Sequence, residues 1–88
     1  MRYRADPVDD RCTVAADGVT FIYHRPSGMT HIVAPPMPEI VAALSIRPAN
    51  AAELLHRLPA DWELGSEDIP ILQARLEELF AIGLVAPA

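Results

Sequence analysis

The sequence predicts an α+β domain in which a three-stranded antiparallel sheet precedes three helices. Three observations carry that expectation. Apolar residues alternate with period two between residues 12 and 34; the period changes to about 3.6 after Pro35, Pro36 and Pro38; and two glycine corners sit where neighbouring strands would turn. Helices that follow a small antiparallel sheet cover one of its faces, which is an α+β layering.

The first strand is "CTVAA", residues 12–16, ended by Asp17-Gly18. Asp-Gly between apolar runs is a strong short hairpin signal, because both central residues of a type I′ turn need positive φ. "VTFIYH" follows as the second strand and "MTHIV" as the third. Between them Pro26 suits position i+1 of a type I turn, Ser27 position i+2, and Gly28 the left-handed bulge. A three-residue loop sets Arg25 opposite Met29, Tyr23 opposite His31 and Phe21 opposite Val33, with Ile22, His24, Thr30 and Ile32 on the other face.

The prolines end the third strand and open a helix, since a missing N–H is harmless in a first turn. "EIVAALSI" puts Ile40, Val41 and Leu44 on one stripe, and Pro48 stops it. Asn50 with Glu53 three residues later reads as a capping box, and Ala51, Leu54, Leu55 and Leu58 as the buried face of the second helix. "ADWELGSED" is a polar link whose Trp62 lids the core. From about residue 68 the stripe Ile69, Leu72, Leu76, Leu79, Phe80 marks the longest helix, with Gly83 at C′. The apolar "LVAP" beyond it returns along the sheet or caps the core.

The chain has 88 residues, enough for one core and too few for two self-sufficient ones, so residues 1–88 are expected to form one domain. One cysteine cannot form an internal disulfide, and no run reaches the ~18 apolar residues that cross a bilayer. The N-terminus is charged where a signal peptide is apolar, so a cytoplasmic, membrane-free protein is expected. Seven arginines lie dispersed among twelve acidic residues for a net charge of −5. That balance repels phosphate backbones and argues against nucleic acid as a partner.

His24 and His31 with Cys12 or His56 invite a zinc site. In the register above the two histidines point to opposite faces and no C-x-x-C or H-x-x-x-H spacing supports them, so no metal is expected. His31 reads as a half-buried ring packed on Tyr23 and hydrogen-bonded locally, and Cys12 as a small buried hydrophobe. Ser27 lacks the G-x-S-x-G setting of a nucleophile elbow and reads as a turn residue. Asp9-Asp10, Glu67-Asp68 and Glu77-Glu78 are neighbours in sequence and do not face one another on a helix. No catalytic constellation or phosphate loop emerges, and neither an enzyme nor a cofactor is expected. What remains is the edge "MTHIV", without lysine, internal proline or fixed charge, which either docks another chain as an added strand or is covered by the C-terminal tail or a second copy.

"SGMTHIV", the proline-bearing turn into an alanine-rich helix, "AAELLHRL" and "LEELFAIGLVAP" together resemble the PqqD-type family of peptide chaperones, most closely its branch beside HPr-kinase-related proteins. The likeness runs from Tyr3 to Pro87 and is sharpest at Ser27, Gly28, Thr30 and His31. It implies a winged-helix-like fold, the recognition element for ribosomally made, modified peptides. Members are non-catalytic; they bind the leader of a precursor peptide as an added strand between the third strand and third helix, and hand it to a modifying enzyme. On this chain the resemblance implies a peptide-binding site of Met29, Thr30, His31, Ile32 and Val33 with Ile71, Leu72, Arg75, Glu78 and Leu79. The implied partners are a precursor peptide and either a modifying enzyme or an HPr-kinase-related protein. Tyr3 stands where many relatives have tryptophan. A winged-helix nucleic-acid binder and a structural subunit, a homodimer or part of a kinase-related complex, are the alternatives.

Overall fold

The computed structural model describes residues 1–59 and 62–88. The strands are β1 (Tyr3–Ala5), β2 (Arg11–Ala16), β3 (Val19–His24), β4 (Met29–Val33) and β5 (Val85–Pro87). The helices are α1 (Met37–Ile46), α2 (Ala51–Arg57) and α3 (Ile69–Ala81). β2, β3 and β4 form an antiparallel sheet in that order, and the three helices follow it, as the sequence pattern predicts.

The strands at the two ends were not legible. β1 and β5 pair antiparallel, Arg4 opposite Ala86, so "LVAP" joins the N-terminus instead of returning along the main sheet, while its Leu84 and Val85 are buried in the core, the other expected alternative. Gly83, at φ +83, makes this possible: its N–H donates to the Phe80 carbonyl and the Leu84 N–H to that of Leu79, closing a Schellman turn that redirects the chain. β1 is also bridged to Ala49, the Tyr3 N–H donating to the Ala49 carbonyl at 2.8 Å and the Ala49 N–H to the Tyr3 carbonyl at 3.0 Å.

The helical stripes pack as expected. Ile40, Val41, Leu44, Ala51, Leu54, Leu58, Leu72, Leu76 and Leu79 are buried together with Ile22 and Val33, while Leu55, Ile69 and Trp62 pack against that core from its margin. Phe80 departs from the expected stripe. It is half-exposed, with its ring tilted against Tyr3 at a centroid distance of 6.3 Å.

Asn50 caps α2 as predicted. Its side chain accepts from the Glu53 N–H at 2.8 Å while Glu53 accepts from the Asn50 N–H at 3.0 Å. Replacing Asn50 by alanine should cost about 1 kcal/mol, read as a lower midpoint in thermal melts. Glu53 also accepts from Arg2 at 2.7 Å, tying the N-terminus to α2. That Arg2 hydrogen bond, then the Asn50 amide, lowers the Glu53 pKa from 4.5 to about 2. A depressed carboxylate pKa stabilises the fold above the unfolded value and ceases to do so as pH falls through the folded one. E53Q should therefore melt below the parent at pH 7, with the gap closing between pH 4.5 and pH 2.

The first hairpin is the expected two-residue turn, Asp17 and Gly18 both at positive φ. The second differs from the expectation. His24 pairs with Met29 across a four-residue loop, Ile22 with His31 and Thr20 with Val33. Gly28, at φ +70, donates to the His24 carbonyl at 2.8 Å. A shift of one residue transfers every side chain of a strand to the other face. His31 therefore opposes Ile22, not Tyr23, and His24 and His31 share the helix-facing side. The outer face is uncharged: Cys12, Val14, Ala16, Val19, Phe21, Tyr23, Thr30 and Ile32. Cys12 is exposed on it and is no core residue.

Candidate functional site

β4 is an edge strand. Among the described residues only β3 pairs with it, because the C-terminal segment that could have covered it is held by β1. A groove of about 420 Å³ lies at the C-terminal end of this strand, lined by Ile32, Val33, the turn Ala34 to Met37, and Arg75, Glu78 and Ile82 of α3 and its C-cap. A second apolar hollow of about 520 Å³ lies towards the other end of α3, lined by Trp62, Leu64, Asp68, Ile71 and Leu72. Both include Pro35 and Pro36, so they meet at that corner.

The residues implied by the resemblance divide accordingly. Ile32, Val33, Arg75 and Glu78 border the groove, and Ile71 and Leu72 border the hollow. Met29 and Thr30 are exposed at the hairpin end of the strand. His31 is half-buried, and its Nε2 is enclosed without a hydrogen-bond partner, contrary to the local bond expected of it. Leu79 does not belong to the groove: it is fully buried in the core beneath α3. Ile82, Trp62 and Leu64 were missed as wall residues. A periodicity signal for Ile82 was present, since Ile71, Arg75, Glu78 and Ile82 recur at i, i+4, i+7 and i+11, a second stripe beside the core stripe.

The groove wall is electrically quiet. Arg75 donates to both carboxylate oxygens of Glu78, at 3.0 and 2.8 Å, so the two charges compensate each other within the helix. Among the described residues, Asp68 is the one ionisable residue lining the hollow; its Oδ2 accepts from the Gly65 N–H at 2.9 Å.

The hairpin that presents β4 is fastened from below. The ring of His24, itself buried, bridges Asp6 Oδ2 at 2.6 Å and Ser27 Oγ at 2.8 Å. The Asp6 carbonyl accepts from Arg11 at 3.1 Å and from Ser45 Oγ at 2.9 Å, extending the clasp to α1. Burial lowers the Arg11 pKa, and Asp6 opposes that shift. Asp6, His24 and Ser27 thus stand in acid, imidazole, hydroxyl order, an alignment the sequence spacing did not disclose. The amides beside the hydroxyl are engaged, however. Gly28 N–H bonds His24 O, and Met29 N–H bonds Ser27 Oγ at 3.3 Å, where an oxyanion would require open donors. The line reads as a clasp on the turn. H24A removes one partner from each of two polar groups, and should cost about 1–3 kcal/mol in urea melts and broaden the amide resonances of residues 25–29.

Among the described residues no three His, Cys, Asp or Glu side chains cluster as metal ligands. No described helix is long and apolar enough to cross a membrane. A cleft between α1 and α2, lined by Glu39, Ile46, Arg47 and Arg57, is comparable in size but borders no strand edge. Comparison with family models, curated proteins and solved structures finds no match to this chain. The PqqD-type resemblance therefore rests on the residues quoted for it.

Proposed function

We propose that the protein is a non-catalytic peptide chaperone that binds the leader of a ribosomally made precursor as an added strand and presents it to a modifying enzyme. The observation that carries this reading is the unpaired outer edge of β4 running into the groove walled by α3. Strand addition satisfies main-chain donors and acceptors without regard to sequence, each hydrogen bond contributing about 0.5–1.5 kcal/mol net. Alternate side chains of the visitor then meet the groove or the solvent, and selectivity arises there. Ile32 and Ile82, 66% and 41% exposed, are apolar surfaces that such a visitor would cover.

Leader segments encoded beside this gene, titrated into the labelled protein and followed by amide chemical shifts, test the reading. Shifts concentrated in residues 29–33 and 71–82 are expected. Shifts confined to β2 or to the α1–α2 cleft would overturn it.

A second reading draws on the uncharged outer sheet face, where Val14, Phe21, Tyr23 and Ile32 are all partly or largely exposed. Contiguous apolar surface of this kind marks interaction sites. In that reading the protein is a structural subunit, a homodimer or part of a complex with an HPr-kinase-related protein, joined through that face. Sedimentation over a range of concentrations distinguishes it, since a groove-only chaperone stays monomeric without peptide.

A further inference from the structure

We propose that the ligand is an extended peptide with two apolar side chains four residues apart, one seated in the groove beside Ile82 and the other in the hollow beside Trp62, with a basic residue next to the latter. The inference rests on the peptide-binding reading and makes it specific. The groove and the hollow share the Pro35–Pro36 corner, so one visitor can traverse both. α3 and its flanking caps wall the two at different heights: Asp68, Ile71 and Leu72 border the hollow, and Arg75, Glu78 and Ile82 the groove. Those two sets are centred about eight residues apart, which at a rise of ~1.5 Å per residue is about 12 Å.

An extended chain advances about 3.3 Å per residue and returns to the same face every second residue. Side chains two apart span under about 7 Å and fall short, whereas side chains four apart span about 13 Å and reach both seats. A helical visitor would need anchors about seven or eight residues apart to cover that distance. The spacing therefore encodes the conformation of the ligand. Charge adds direction. Asp68 supplies negative charge to the hollow, while the groove's Arg75 and Glu78 offset one another, so a cation is favoured beside the Trp62 anchor only.

Trp62 is the sole tryptophan and reports on the hollow directly. Twelve-residue Ser/Thr peptides with two leucines at i,i+2, i,i+4 or i,i+7 and one lysine beside the first leucine are titrated into the full-length labelled protein. Tryptophan emission and the amide shifts of residues 29–33 are followed together. The i,i+4 peptide is expected to bind at least about tenfold tighter than the others, matching one apolar side chain gained, and to shift Trp62 emission. Ile71, 54% exposed, can be changed without opening the core; I71S should abolish that advantage, bringing the i,i+4 peptide down to the affinity of a single-leucine peptide. Lysine changed to glutamate in the peptide should weaken binding a few-fold. Equal affinities at all spacings, or a preference for i,i+7, with shifts still at residues 29–33, would overturn the spacing and leave strand addition standing. No shifts at residues 29–33 with any peptide would overturn both.

Discussion

Alanine at Leu79 is expected to lower the unfolding free energy by about 2–5 kcal/mol, the range for deleting a buried leucine whose surroundings relax only in part. Leu79 is completely enclosed and lies on the same stripe as Leu72 and Leu76. Its carbonyl also receives the Leu84 N–H that turns the chain into β5. A loss of that size is a large fraction of the ~5–15 kcal/mol that holds a small domain together, so the urea midpoint should fall sharply. Peptide affinity, measured well below that midpoint, should be nearly unchanged, because the side chain touches the core and not the groove. A loss below about 0.5 kcal/mol, the range of surface substitutions, combined with a large drop in affinity, would return Leu79 to the binding surface where the family likeness placed it.

The second large effect falls on binding. I32D puts a charge on an apolar residue at the mouth of the groove, where a docked peptide would desolvate it. Burying an aliphatic side chain is worth about 1.5–3 kcal/mol, so affinity should fall roughly tenfold to a hundredfold, and I82D on the opposite wall should act alike. Both residues are well exposed, so folding should survive. V14D is the informative control. Val14 shares the outer sheet face with Ile32 but belongs to β2, at the far edge of the sheet. V14D should leave peptide affinity as it was; if it weakens binding as strongly as I32D, the visitor lies on the sheet face and the second reading gains.

The fold was legible where one local rule sufficed. Asp17-Gly18 fixed the first turn, Asn50 with Glu53 fixed the start of α2, and the 3.6-residue stripes placed the core sides of all three helices. Two failures share a physical cause, dependence on distant partners. β1 and β5 are three residues each and acquire strand character only by pairing with one another, a contact no local pattern encodes. The second hairpin slipped by one residue because His24 is held by Asp6 far upstream and by Ser27 within the loop, which favours a four-residue turn over the three-residue one. That slip exchanged the faces of β4, and with them the relation between His24 and His31.

The groove was half-legible for a related reason. The core stripe of α3 stands out because leucines carry it, whereas the neighbouring wall stripe mixes Ile71, Arg75, Glu78 and Ile82 and resembles an ordinary solvent face. Trp62 and Leu64 line the hollow from a polar-looking link, and only the tertiary fold brings them beside Pro35 and Pro36. Alignment of Asp6 with His24 and Ser27 likewise needed the structure, since the spacing of those residues matches no familiar pattern.

Amide hydrogen exchange along Met29–Val33, with and without a saturating leader peptide, bears most directly on whether β4 accepts a strand. Outward amides of an antiparallel edge alternate with those already paired to the neighbour. Slowed exchange at alternate residues of β4, with the already paired amides unchanged, is the expected outcome. Unaltered exchange throughout β4 in a saturated complex, with protection appearing on another surface, would contradict it.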